Sequence, residues 1–220
     1  MDVTLPHALT STSLCALAEV IDQAQEPIVI RGDEVTFCLG LSLDEDHAGT
    51  ADLGSALVDS FVRCVRAIRC GPPAVAFVQG AARGAGVGLA AACDRVLATT
   101  TSSFALTELY LGLTPAAIWP LLAERVPEAR LRWLALTAEC LGAEDAVATG
   151  LADAVASAED LHAALRRLRR TDLGAVRLLK ESTAPLLAVA EGAERTRWRL
   201  ADAEVRNRLA RYRSGEPLWR

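Results

Sequence analysis

The sequence predicts an α/β fold that gives way to helices toward its C-terminus, and three observations carry that expectation. Short apolar runs of strand length alternate with helical apolar spacing through the first two-thirds of the chain. Beyond Pro115 nearly every patterned segment is helical. Hydrophobic residues make up 51% of the 220, which lets one domain bury a sizeable core and excludes global disorder. The expected division is an α/β core over residues 1–155 and a helical region over 156–220.

Ser11 or Ser13 can cap a helix running to about Gln25, and Glu26-Pro27 stops it because a residue before proline is driven from the helical region. Ile28–Arg31 (IVIR) reads as a buried strand closed by a Gly32-Asp33 turn. The next extended piece, 37–41 (FCLGL), carries a glycine, which marks backbone placed for function rather than packing. Leu53, Leu57, Phe61, Val65 and Ile68 repeat at helical spacing across 52–70, until Gly71-Pro72-Pro73 breaks the run. A strand at 75–78 leads into a loop with glycines at 80, 84, 86 and 88. A small-residue helix at 87–93 follows, closed by Asp94-Arg95, and then a strand at 96–98. Later helices are expected at 116–126, 128–138 and 143–149, the last ending on Gly150. Residues 151–155 are extended, and helices over 159–170, 174–190 and 191–213 complete the chain.

Composition narrows the function. The net charge of −5, without interleaved basic and aromatic residues, argues against nucleic acid as a partner. No signal peptide is legible before residue 20 and no apolar run is long and uncharged enough to span a membrane, so the expected compartment is the cytoplasm. Six scattered cysteines (15, 38, 64, 70, 93 and 140) form no C-x-x-C pair and read as reduced, mostly buried thiols, with neither metal nor disulfide. His7 and His162 lack a partner pattern and read as structural or surface residues. Arg166, Arg167, Arg169 and Arg170 read as a solvated helix end that complements the dipole, with an anionic docking patch as the alternative.

Residues 75–115 hold nearly all the chemistry. Glycine lets backbone approach a ligand, and a helix start presents unpaired N–H groups to developing negative charge. Glu108 stands alone among apolar neighbours, where desolvation raises a carboxyl pKa toward neutrality. Donors of that kind with one isolated carboxylate suit carbonyl chemistry. A dinucleotide-binding loop is the competing reading, but Gly84-x-Gly86-x-Gly88 is followed by Leu89 and lacks the G-x-G-x-x-G spacing.

Three segments together resemble the crotonase (enoyl-CoA hydratase/isomerase) superfamily. Residues 78–94 are similar to its V-N-G-x-A-x-G-G-G-x-x-L-x-x-x-x-D signature and 103–115 to its F-x-x-x-E-x-x-x-G-x-x-P signature. Residues 30–43 are similar to its G-x-x-x-x-F-x-x-G-x-D-[IL] segment. The resemblance runs from about residue 11 to the C-terminus and implies a crotonase-like ββα spiral core with a C-terminal helical oligomerisation region. It implies an acyl thioester substrate on coenzyme A or on the phosphopantetheine of an acyl carrier protein, no other cofactor, no metal, and a homotrimer or hexamer. The catalytic residues it implies are the backbone N–H groups of Leu41 and Ala85, which hold the thioester oxygen, and the carboxylate of Glu108. Cys38, Gly40, Gly84, Gly86 and Gly88 are the implied substrate-binding positions.

The chain departs from the family in three places. The first of the two hydratase glutamates falls on Gly88 and is missing. Ser42 stands where the family often has aspartate; Asp44, Glu45, Asp46 and His47 follow and read as a solvated loop or a source of a second acid. The opening β-hairpin is reduced to residues 2–5. One carboxylate leaves isomerisation, decarboxylation or dehydration. Stretches such as FCLGLSLDE and RYRSGEPLW further resemble the stand-alone dehydratases of polyketide β-branching cassettes, which also carry glycine at the first glutamate position. By that resemblance the substrate is 3-hydroxy-3-methylglutaryl on an acyl carrier protein. A decarboxylase, a double-bond isomerase and a non-catalytic assembly partner are the alternatives.

Overall fold

The computed structural model describes residues 1–42 and 51–216, without the side chains of 51–54. Strand β1 (Asp2–Thr4) and helix α1 (Ser11–Gln23) precede three passes of similar construction, each laying down two strands and then helical chain. The first pass is β2 (Ile28–Arg31), β3 (Thr36–Cys38) and α2 (Ala51–Cys70); the second is β4 (Ala74–Val78), β5 (Ala81–Arg83) and α3 (Ala85–Ala92). The third is β6 (Arg95–Ala98), β7 (Ser103–Ala105), a 3₁₀ turn at Glu108–Leu111 and α4 (Trp119–Ala123). Helix α5 (Glu128–Thr137), β8 (Leu141–Gly142), α6 (Ala143–Ala148) and β9 (Ala154–Val155) follow. Four helices end the described chain: α7 (Ala158–Leu168), α8 (Leu173–Thr183), α9 (Leu186–Leu200) and α10 (Ala203–Arg213).

Each pass gives its first strand to a parallel sheet of order β1-β2-β4-β6-β9 and its second to a sheet of order β3-β5-β7-β8. Among the described strands only β8 is antiparallel to its neighbour. This is the expected ββα spiral. Side chains alternate across the first sheet. Ile28, Ile30, Ala74, Ala76, Val78, Val96 and Ala98 join the main core with α1, α2 and α3, while Val29, Val75, Phe77 and Leu97 face away and are covered by Leu161 and Leu165 of α7. The buried Lys180 of α8 donates to Asp94 Oδ2 (2.7 Å) and Pro72 O (2.9 Å), and Ala74 N–H donates to the same carboxylate (2.7 Å). A carboxylate and a carbonyl within reach make this buried ammonium tolerable and tie the C-terminal helices to the corner before β4.

Several elements differ from expectation. Thr10 caps α1 instead of Ser11 or Ser13: its hydroxyl accepts from Ser13 N–H (3.1 Å) while Ser13 Oγ accepts from Thr10 N–H (2.9 Å). The three-residue strands β5 and β7 are too short to leave a periodic signal. The small-residue helix starts at Ala85, two residues early, and the expected helix 116–126 shrinks to α4. Residues 174–190 are not one helix. Pro185 has no N–H and holds Ala184 extended (ψ 131°), so α8 ends and α9 begins there. Residues 191–213 divide likewise at Asp202, whose carboxylate caps α10 through the N–H groups of Glu204 (2.9 Å) and Val205 (3.2 Å). The opening segment is one strand, β1, parallel to β2. His7 has a partner, Asp33, at 2.5 Å. Cys38, Cys64 and Cys93 are buried but Cys140 is exposed. No helix among the described residues is long and apolar enough to cross a membrane.

Candidate active site

The spiral brings one segment from each pass to the C-terminal ends of β3, β5 and β7, which is where parallel strands present ligand-binding loops. Leu39–Gly40–Leu41, Gly84–Ala85 and Thr107–Glu108 line one cleft of about 730 Å³, part of it open to solvent. Leu57, Val58 and Phe61 of α2, Ile118 at the start of α4, and Thr196 and Leu200 of α9 complete a largely apolar wall.

Leu41 and Ala85, the two residues expected to offer N–H groups, both line this cleft. Leu9 N–H donates to Gly40 O (2.8 Å) and Ser42 N–H donates to Leu9 O (2.7 Å), a parallel bridge that turns the intervening Leu41 N–H away from Leu9. Gly40 has φ +97°, and a Cβ there would lie 3.1 Å from Arg83 O and 3.4 Å from Ala85 N, so glycine keeps the second donor uncovered. Ala85 is the first residue of α3. Gly84 N–H is used on Ala105 O (3.1 Å), and Gly84 O receives Val87 (2.9 Å) and Gly88 (3.2 Å). Neither Leu41 N–H nor Ala85 N–H has an acceptor among the described residues. As a helix-start donor, Ala85 also carries the positive end of the α3 dipole.

Glu108 opens the 3₁₀ turn, with its carboxyl against Gly84: a Cβ on Gly84 would be 3.4 Å from Oε1. Oε2 is fully buried and has no hydrogen-bond partner among the described residues. Burial pushes the carboxyl up to a pKa of about 7, and the nearby N–H groups of Glu108 and Thr107 offset this only in part. Such a group can take and return a proton near neutral pH.

Three expected binding residues do not line the cleft. Cys38 is fully buried behind it, its sulfur accepting from Gly40 N–H (3.4 Å), and burial raises its thiol to about 11, which leaves it un-ionised. Gly86 is a contact glycine: a Cβ there would meet Cys38 O at 2.4 Å. Gly88 lies beneath Ile118, whose Cγ2 would be 2.3 Å and Cβ 2.8 Å from an added Cβ. The space that a side chain at 88 would enter is therefore filled from α4. Asp44, Glu45, Asp46 and His47 lie outside the described residues. Arg166, Arg167, Arg169 and Arg170 are absent from the lining; they belong to the end of α7 and the turn after it, on the sheet face turned away from the main core.

Sequence reasoning missed Thr114, Ile118, Thr196 and Leu200. Ile118, Thr196 and Leu200 reach the cleft through the packing of α4 and α9, and Thr114 lies unmarked inside the 103–115 segment. Gly192 makes that packing possible, since a Cβ on it would meet Ala116 O at 2.0 Å.

Residues 4–206 match the enoyl-CoA hydratase/isomerase family. The chain is 34% identical over 154 residues to a Rhodobacter capsulatus protein named probable enoyl-CoA hydratase, covering 69% of this chain and 58% of that one. It is 27% identical over 177 residues to the bacillaene synthase dehydratase of Bacillus subtilis, covering 74% and 67% respectively. These alignments span a little over half to two-thirds of the relatives' length. An enoyl-CoA hydratase from Mycobacterium avium subsp. paratuberculosis has the same fold, with a TM-score of 0.80 at 26% identity over 95% of this chain and 92% of that one. A Bacillus subtilis protein assigned to polyketide biosynthesis as an enoyl-CoA hydratase superposes with a TM-score of 0.84 at 23% identity, over 97% and 92%.

Proposed function

The chain belongs to the enoyl-CoA hydratase/isomerase family, and from that premise we propose that it removes water from a 3-hydroxyacyl thioester, with 3-hydroxy-3-methylglutaryl on an acyl carrier protein as substrate and 3-methylglutaconyl as product. The observation that carries the reading is Glu108, a buried carboxyl with a pKa of about 7 in a cleft that Gly88 does not line, its side-chain space being filled by Ile118. The similarity to the bacillaene synthase dehydratase supports the substrate class.

The thioester carbonyl oxygen sits between the N–H groups of Leu41 and Ala85. Ionised Glu108 takes the C2 proton, and the enolate charge develops on the oxygen facing those two donors, each worth about 10²–10³ in rate. The C2 electron pair then forms the C2=C3 double bond as the C3–O bond breaks. Glu108 returns its proton to the departing hydroxyl on the same face, so water leaves and the carboxylate is regenerated. No net charge or redox change remains, and one acid suffices.

Intact-mass measurement of a 3-hydroxy-3-methylglutaryl carrier protein incubated with the enzyme tests the reading. Loss of water supports it, provided the carrier-linked substrate reacts faster than its coenzyme A counterpart. Loss of carbon dioxide after dehydration by a separate enzyme would make this chain a decarboxylase. An unchanged mass in both experiments would leave a binding or assembly partner.

The assembly expected is a homotrimer or a pair of trimers. Leu178, Leu179, Leu187 and Trp198 are exposed on α8 and α9, apolar surface that subunit contact would remove from water. Light scattering after gel filtration should give the mass of three or six chains; a monomer would overturn this.

A further inference from the structure

Three threonines line the cleft, and their hydroxyls are not equivalent. Thr196 donates to Gly192 O within its own helix (3.1 Å). Thr107 lies in the partly exposed lead into the 3₁₀ turn. Thr114 alone has a fully buried hydroxyl oxygen with no partner among the described residues.

Its position is fixed from both sides. On one, Leu113 N–H donates to Glu108 O (2.9 Å), and Arg199 of α9 donates from Nε (3.0 Å) and Nη2 (2.8 Å) to Gly112 O. On the other, Pro115 restricts Thr114 to extended backbone, and Pro115 O receives the N–H groups of Ile118 (3.2 Å) and Trp119 (2.8 Å). A buried polar atom without a partner is unfavourable unless a ligand completes it. Glu108, a second residue lining this cleft, also carries a buried side-chain oxygen without a partner among the described residues, Oε2.

We infer that Thr114 Oγ1 binds the C3 hydroxyl of the substrate, orienting it toward Glu108 and selecting hydroxylated acyl chains over their deoxy counterparts. This rests on the dehydration reading and adds a specificity residue to it. A neutral hydroxyl is well matched to such a partner, since it can donate to the C3 oxygen as that oxygen gains charge, or accept the C3 O–H before the bond breaks. A site built to hydrogen-bond a substrate hydroxyl also rejects the analogue lacking it, because its own buried group is then left unpaired.

The test is binding of 3-hydroxybutyryl-CoA and butyryl-CoA by calorimetry, in a Glu108→Gln background that prevents turnover. Thr114→Val, nearly isosteric but without the hydroxyl, should weaken 3-hydroxybutyryl-CoA about tenfold and leave butyryl-CoA unchanged. Thr114→Ser should retain the preference. Equal weakening of both ligands, or no change in either, would overturn the inference. If the enzyme removes water from no carrier-linked substrate and the preference still depends on Thr114, the dehydration reading fails while the hydroxyl site stands.

Discussion

Glu108→Gln should abolish water loss, lowering kcat by at least about 10³-fold, because in the proposed mechanism a single carboxylate performs both proton transfers and general acid–base groups contribute about 10²–10⁴ each. In the unaltered enzyme kcat/KM should rise with pH through about 7, where Glu108 becomes the ionised base. The same substitution has a signed effect on stability. The folded pKa of about 7 lies above the ordinary value of 4.5, so the folded state binds the proton more tightly than the unfolded chain. The contribution of protonated Glu108 is fully present below about pH 4.5 and is lost as pH rises through about 7. Glutamine does not titrate. Between pH 5.5 and 8.5 the stability of the variant relative to wild type should therefore increase by about 2 kcal/mol, or about 4–8 °C in Tm for a chain of this size. Chemical denaturation at the two pH values measures it. A pH-independent difference would mean that Glu108 is not desolvated, and retained water loss would remove it from the mechanism.

The second large effect concerns the residue that replaces the missing acid. Gly88→Ala places a methyl 2.3 Å from Ile118 Cγ2 and 2.8 Å from Ile118 Cβ, and a β-branched side chain rooted in a pinned turn has little room to give. The expected cost is about 1–3 kcal/mol from overpacking. Ile118→Ala, at a buried position, should cost about 2–5 kcal/mol by leaving a cavity. Combined, the 2.3 Å clash with Cγ2 is removed while the retained Cβ of residue 118 still lies 2.8 Å from the added methyl, so the double variant should cost less than the sum of the two without cancelling either. Additive losses would show that residues 88 and 118 do not compete for one space. The consequence for chemistry is that a second carboxylate cannot be restored by Gly88→Glu alone, because Ile118 occupies its path.

Legibility in the sequence follows the range of the interactions. Buried runs such as IVIR and the apolar spacing of 52–70 are local signals, and β2 and the helix ending at Cys70 stand where those signals place them. Glu108, Gly40, Leu41, Gly84 and Ala85 are legible because each carries chemistry or backbone freedom within a recognisable segment. Gly86 and Gly88 look the same in sequence as Gly84, yet they serve packing against Cys38 and Ile118, partners 48 and 30 residues away. Thr196 lines the cleft only through the packing of α9, and Thr114 stands out only through its buried, unpartnered hydroxyl. The 174–190 segment misleads for a different reason: its apolar spacing continues through Pro185 although the backbone cannot.

The three-pass spiral has one more consequence. Leu41, Ala85 and Glu108 follow neighbouring strands of one sheet, with Thr36 paired to Ala81, Ala81 to Ser103 and Arg83 to Ala105. In the proposed mechanism the spacing between these three groups is therefore set by strand register, about 3.3 Å per residue with one irregularity between Thr36 and Cys38, rather than by the helices between them. Insertions in the outer loops leave that ruler unmarked. A one-residue slip of β5 against β7 would carry Ala85 N–H out of reach of any oxygen that Glu108 could still serve.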